Sequence, residues 1–266
     1  MLERFTLIAG PCLLEDDALN LRVARELARL SQALGLPVIF KASFDKANRA
    51  RLDAARGPGL EAGLGMLARV KGETGLPVLT DIHEPWQAEK AGATVDVLQI
   101  PAFLCRQTDL LVAAGGTGRA VNVKKGQWMA PDELAHAVHK VRSAGSADVA
   151  VTERGTFFGY GDLVVDMRSF ARLREASGAP AYFDGTHAVQ RPGQAGGASA
   201  GDPEHVPALS RAAVAAGCDG LFLEIHPDPA RAPSDGANML PLDRLGALLA
   251  QVVALREALE RPGGAP

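Results

Sequence analysis

Eight short runs of β-branched and apolar residues recur along the chain about 31 residues apart, and this recurrence restricts the fold more than any other feature. They cover 5–9, 38–41, 78–81, 95–100, 120–123, 149–152, 181–183 and 221–224. Each is short and apolar, as a strand buried on both faces must be. The intervals between them carry helix patterns. Leu27, Leu30 and Leu34 share one face of 19–34. Pro131-Asp132-Glu133 puts proline and acids where a first helical turn favours them, and 203–216 and 241–259 read the same way. Strict alternation of strand and helix implies a parallel sheet. Eight units predict closure into an α/β fold of the TIM (β/α)8 barrel type, one domain over residues 1–266. A doubly wound open sheet is the alternative, weakened because no G-x-G-x-x-G follows the first strand.

Composition narrows the setting. With 47% apolar residues and a net charge of −3, the chain can bury a sizeable core and offers no basic run for nucleic acid. No apolar stretch approaches the ~18 residues that would span a membrane, and the first residues lack a signal-peptide layout. Cys12, Cys105 and Cys218 are too scattered for a disulfide framework, which predicts a reducing, cytoplasmic setting.

Polar residues collect where the predicted strands end. In order these are Cys12; Lys41 and Ser43; Asp81 and His83; Gln99; Lys124 and Lys125; Glu153 and Arg154; Asp184 and His187; Glu224 and His226. The carboxyl-terminal rim is where barrel enzymes place their chemistry. The chain has 21 arginines and only seven lysines, yet Lys41, Lys46, Lys124 and Lys125 all fall on this rim. Compact ammonium groups retained against such a bias predict contacts to phosphate or carboxylate.

Barrel closure would bring the eighth strand beside both the seventh and the first. Cys12, His187, Glu224 and Asp235 would then meet, a thiolate, an imidazole and two carboxylates suited to a divalent metal such as Zn²⁺, Fe²⁺ or Mn²⁺. Each alone has a plainer reading: a cysteine after Gly-Pro as a buried thiol, a strand-end histidine as structural. Cys105 and Cys218 read as core thiols in helix-like segments, and His136 and His139 as a solvated helix face.

Nine segments then carry a resemblance: IAGPC (8–12), FKASFDKANR (40–49), RGPGLEAG (56–63), TDIHE (80–84), QIPAFLCRQTDLL (99–111), NVKKGQ (122–127), TERGTFFGYGDLVVDMRS (152–169), FDGTHAVQ (183–190) and EIHPDPARAPSDGANMLPL (224–242). Over about residues 5–258 the chain resembles the 3-deoxy-D-manno-octulosonate 8-phosphate synthases. The resemblance implies condensation of phosphoenolpyruvate with D-arabinose 5-phosphate and water for lipopolysaccharide synthesis. It also implies a homotetramer and, because cysteine rather than asparagine stands at position 12, the metal-dependent branch. Position by position, Lys41, Ser43, Gln99, Lys124 and Arg154 would hold phosphoenolpyruvate. Lys46, Asn48 and Asp81 would meet the aldose, and Arg49 its phosphate. Asp81, His83, His187 and Lys46 become the catalytic candidates, and Cys12, His187, Glu224 and Asp235 the metal ligands.

Two departures stand out. Ala50 replaces the serine that usually follows KANR, removing a contact worth about 0.5–1.5 kcal/mol. The Gly-rich stretch 193–203, within an expected mobile lid at 191–206, matches the usual GG-x-SGG pattern only loosely. Three rivals remain. The sister synthase that uses erythrose 4-phosphate usually reads KPRT where this chain reads KANR. A sialic-acid-type synthase takes an unphosphorylated sugar, against Arg49. A non-catalytic phosphate-binding barrel would have no use for four metal donors.

Overall fold

The computed structural model describes residues 1–49, 52–159, 161–195 and 198–260. Eight parallel strands, β1 (Thr6–Gly10), β2 (Val38–Lys41), β3 (Val78–Asp81), β4 (Val97–Ile100), β5 (Ala120–Lys124), β6 (Val149–Glu153), β7 (Ala181–Asp184) and β8 (Gly220–His226), each pair with the next. β1 also pairs with β8, from Thr6 against Gly220 to Gly10 against Glu224, and this closes the barrel. The open-sheet alternative is thereby excluded. Every expected run holds a strand, with ends within two residues of expectation. The helices α1 (Asp17–Leu34), α2 (Leu60–Thr74), α3 (Gln87–Thr94), α4 (Thr108–Gly116), α5 (Leu134–Ala144), α6 (Ser169–Ser177), α7 (Val206–Ala215) and α8 (Leu242–Glu260) follow the strands in turn.

Local chemistry sets the helix ends. Asp16 caps α1 by accepting from the Leu19 amide at 2.8 Å, and Gly35 closes it in the left-handed region, φ 59°. Glu133 accepts from the Ala130 amide at 2.9 Å just before α5, where the Pro-Asp-Glu run predicted a helix start.

The core has two shells. One apolar side chain from each strand packs inside the barrel: Ile8, Ile39, Leu79, Val97, Ala120, Ala150, Tyr182 and Phe222, with Leu2 buried among them at the amino-terminal end. The two alanines leave room for the two rings. Tyr182 Oη donates to the Leu2 carbonyl at 2.9 Å, and the Leu2 amide donates to Asp148 Oδ1 at 3.1 Å, so the barrel floor is sealed by apolar packing with its polar atoms satisfied. The larger shell lies between strands and helices, with Leu27 and Leu30 of α1 in it and Leu34 packed at its edge.

Two details differ from expectation. The Gly-rich stretch forms an antiparallel hairpin, Gln190–Ala195 against Ala198–Gly201, with 196 and 197 outside the described residues. Glycine composition reads as loop, but backbone pairing needs no side chains. Cys105 and Cys218 are buried thiols as expected, yet both stand outside the α-helices, one after the turn Ala102–Leu104 and one just before β8. His136 and His139 lie exposed on α5 as read, and Ala50 falls outside the described residues.

The floor and the rim should separate under mutation. Tyr182→Phe leaves the Leu2 carbonyl unpaired and should cost about 1–2 kcal/mol in urea unfolding, with turnover of the rim site within about twofold of wild type.

Candidate active site

The rim begins at a glycine. A Cβ on Gly10 would lie 1.9 Å from the Lys41 carbonyl oxygen, so only glycine lets β1 pass β2 this closely. Beyond it the two loops stay paired: the Ser43 amide donates to the Cys12 carbonyl at 2.9 Å, and Leu13 bridges Ser43. Cys12 itself has φ 58° and Asp235 φ 51°, the two non-glycine residues with positive φ among those described. Strain of this kind gathers where geometry serves a site.

Those two residues meet. Cys12 Sγ lies 3.2 Å from Asp235 Oδ2, and donor atoms of Cys12, Glu224 and Asp235 all fall within 4.8 Å of one another. His187 Nε2 sits 3.7 Å from Glu224 Oε2 and 4.0 Å from Asp235 Oδ2. Its other nitrogen, Nδ1, lies 2.7 Å from Asp184 Oδ2. A proton held there leaves the Nε2 lone pair free, the arrangement usual for a ligating histidine. Glu224 Oε2 is buried without a hydrogen-bond partner, so one donor of the group faces the cluster unsatisfied. The donor set fits a divalent cation. Burial, then Glu224, push the Cys12 thiol well up, so without a cation the thiol keeps its proton. Burial would raise Asp235, yet His187, Lys46 and hydrogen bonds from Cys12 and Ser234 hold it below the usual carboxylate range.

Cationic groups stand beside the cluster. Lys41 Nζ contacts Glu224 Oε1 at 3.0 Å and Ser43 Oγ at 3.1 Å. Lys124 Nζ contacts Asp184 Oδ2 at 2.6 Å and lies 3.1 Å above the Phe222 ring centre. Burial outweighs the neighbouring Asp184 and brings Lys124 down to about 8. Burial opposes charge on Lys46 too, but the carboxylates of Glu224, Asp81 and Asp235 keep it charged. Ser43 donates to Asp81 Oδ1, and His83 Nε2 lies 3.2 Å from Asp81 Oδ2. Burial would raise Asp81, but the His83 hydrogen bond, Lys41 and Lys46 keep it ionised.

A cavity of about 990 Å³ opens over these groups. Of the residues singled out from the sequence, Lys41, Lys46, Asn48, Arg49, Asp81, His83, Gln99, Lys124, Arg154, His187 and Asp235 line it. Cys12, Ser43 and Glu224 lie behind that lining, joined to it through Asp235, Asp81 and Lys41. Lys125 does not belong there. It follows Lys124, so strand alternation turns it outward, and its fully buried ammonium bonds the carbonyls of Gly126, Met129 and Gly155 and pairs with Glu153 at 3.4 Å. His226 is likewise internal, 3.0 Å from Glu15 Oε1.

Three polar residues of the site carried no role in the sequence reading. Asp184 orients His187; its place three residues before that histidine was the available signal. Gln127 lines the cavity with a buried, unpartnered Oε1. Gln190 joins Arg154 and Asp235, and nothing in its sequence position announced this.

A closed parallel barrel with a cationic mouth and a thiol–imidazole–carboxylate cluster on its carboxyl-terminal rim defines a barrel enzyme that works on anionic substrates. A profile of the DAHP synthetase I family matches residues 2–261, and the chain belongs to that family. It is 58% identical over 249 residues to a 2-dehydro-3-deoxyphosphooctonate aldolase of Syntrophotalea carbinolica, covering 94% of this chain and 90% of the relative. Proteins of the same name from Koribacter versatilis (55% identity; 96% and 92% coverage) and a Synechococcus species (53%; 98% and 91%) match over similar spans.

The metal-free protein should bind one equivalent of Co²⁺ with a thiolate charge-transfer band. Cys12→Ala should abolish the band and weaken binding by more than about 100-fold, since even outer-shell losses cost about 10–100-fold. An unchanged isotherm would remove Cys12 from the ligand set.

Proposed function

We propose that this chain condenses phosphoenolpyruvate with D-arabinose 5-phosphate and water, giving 3-deoxy-D-manno-octulosonate 8-phosphate and phosphate. The observation that carries the reading is the placement of Lys41, Lys124 and Arg154 in one cavity, directly beside the Cys12–His187–Glu224–Asp235 cluster. Lys41, Ser43, Gln99, Lys124 and Arg154 hold phosphoenolpyruvate. Lys46, Asn48 and Asp81 meet the aldose, and Arg49, with one buried guanidinium nitrogen lacking a partner among the described residues, takes its phosphate.

Two anions must be brought together, and unit charges about 8 Å apart repel by about 2 kcal/mol at an effective dielectric of 20. The ammonium and guanidinium groups offset that repulsion and orient both substrates. C3 of the enol then bonds to the aldehyde carbon, water adds at C2, and the hemiketal phosphate loses phosphate as its C2–O bond breaks. The aldehyde oxygen gains a proton and the attacking water loses one. His83 carries these protons, and the ionised Asp81 fixes the orientation of its imidazole at Nε2. When bound at Cys12, His187, Glu224 and Asp235, a divalent ion of the zinc, iron or manganese type supplies Lewis-acid stabilisation to an oxygen in the site.

The same reading carries a single domain, a homotetramer and a cytoplasmic location in a lipopolysaccharide-making cell. Phe103 and Trp128, stacked at 6.1 Å and half exposed beside the cavity, offer an apolar surface to a second copy. Three buried free thiols suit a reducing compartment. The described helices include none long and apolar enough to cross a membrane.

The alternative is the four-carbon erythrose 4-phosphate, which the names of the similar proteins do not favour. Phosphate release from phosphoenolpyruvate should require arabinose 5-phosphate, stop with a strong chelator and return with divalent metal. Preference for erythrose 4-phosphate would overturn the substrate assignment. Activity that survives chelation would overturn the metal.

Lys124 sets a pH limit. Its ammonium titrates near about 8 in the free protein, so the charge that attracts phosphoenolpyruvate is present below that pH and lost above it. Accordingly kcat/KM for phosphoenolpyruvate, which reports the free enzyme, should fall above pH about 8. The bound dianion raises the lysine, so kcat should fall later. A kcat/KM level to pH about 9.5 would count against this role.

A further inference from the structure

Gln190 joins the two halves of the site. It follows the turn His187–Val189, opens the hairpin Gln190–Ala195 and lines the cavity. Its Oε1 accepts from Arg154 Nη2 at 2.7 Å, and its Nε2 donates to Asp235 Oδ1 at 3.0 Å. A neutral amide suits both partners at once, accepting from a guanidinium and donating to a carboxylate. Glutamate would repel Asp235, and lysine would repel Arg154. The other Asp235 oxygen, Oδ2, takes Cys12 at 3.2 Å and Ser234 at 3.0 Å and faces His187. The bond to Gln190 therefore fixes which carboxylate oxygen looks into the cluster.

The hairpin holds the same loop a second time. A Cβ on Gly201 would fall 1.6 Å from Asn238 Oδ1, so its return strand sits directly on the turn Gly236–Asn238 that follows Asp235. At the other end of the relay, Arg154 Nη1 is buried without a partner among the described residues and faces the cavity an anion would enter.

We propose that Gln190 is a positioning residue that couples anion binding at Arg154 to cation binding at Asp235. This rests on the substrate and metal reading above. In a hydrogen-bond chain each bond polarises the next. An anion on Arg154 lowers the pull of the guanidinium on the amide, weakens its donation to Asp235 and leaves more charge on Oδ2 for the cation. Linkage makes the effect mutual, so the cation tightens the anion by the same factor.

The test is Co²⁺ titration of the metal-free enzyme, with and without phosphoenolpyruvate, in wild type and Gln190→Met. Methionine keeps the length and loses both bonds. In wild type, phosphoenolpyruvate should tighten Co²⁺ about fivefold or more. In the variant, Co²⁺ should bind about tenfold more weakly without phosphoenolpyruvate. Its d–d bands should shift as Asp235 turns, and the enhancement by phosphoenolpyruvate should shrink severalfold. Unchanged affinity and bands overturn the positioning role, and an undiminished enhancement overturns the coupling. If Gln190→Met does not fold, Gln190→Asn, too short to span both partners, gives the same readings. A wild type with no thiolate–Co²⁺ band would sink the metal reading itself, a failure distinct from a wild type that binds and a variant that matches it.

Discussion

Keeping opposite charges buried side by side is the condition on which the rim depends. Lys41 against Glu224 and Lys124 against Asp184 are almost wholly withdrawn from water, at 3.0 and 2.6 Å. Burying one such ion alone costs several kcal/mol, and a close, hydrogen-bonded partner offsets most of it. Closure of the sheet makes the first pair possible. Lys41 on β2 and Glu224 on β8 both flank β1, and Gly10 lets β1 pass close against the β2 backbone. In an open sheet these residues, 183 apart in sequence, would lie on opposite edges.

The two ends of the barrel divide the work. At the amino-terminal end Leu2, Tyr182 and their neighbours form an apolar seal. At the other end Cys12 and Asp235 adopt left-handed backbone, each costing about 1–3 kcal/mol, and a carboxylate oxygen stays unpaired. Phe222 spans both regions. It belongs to the inner apolar layer, and its ring lies under Lys124 and 5.5 Å from Lys41. An aromatic face there gives two ammonium groups a favourable neighbour without adding a carboxylate that would compete with substrate.

The barrel was legible because its signal is periodic: short apolar runs at even spacing leave few ways to pair. Site residues at strand ends were legible because position along a strand determines which end of the barrel they reach. Which way each side points was harder to see. Lys124 and Lys125 look alike in sequence, and strand alternation sends one to the cavity and the other into a buried cradle of carbonyls. The hairpin at 190–201 was hidden because glycines advertise freedom rather than pairing. The roles of Asp184, named on the rim, and of Gln190 were missed for a related reason: each acts through another residue, and little in the sequence marks such second contacts. Resemblance rather than geometry supplied the substrate roles of Asn48 and Arg49, which lie in a loop whose path no periodicity records.

Charge balance gives the proposed cation a part in the binding problem as well as in the chemistry. Among the cavity and cluster residues, Lys41, Lys46, Arg49, Lys124, Arg154 and Arg191 face Asp81, Glu84, Asp184, Glu224 and Asp235. Six cations meet five carboxylates, so with Cys12 protonated the mouth carries only a small excess of positive charge. So small an excess attracts two phosphorylated substrates weakly. On the proposed metal reading, a divalent ion that displaced the Cys12 proton would raise the local charge by one and engage Glu224 and Asp235. Lys41, held by Glu224, would then be freer to turn toward substrate. Glu224, which keeps Lys41 buried, is also one of the carboxylates a cation would claim, so lysine and cation would compete for one partner within a fixed frame.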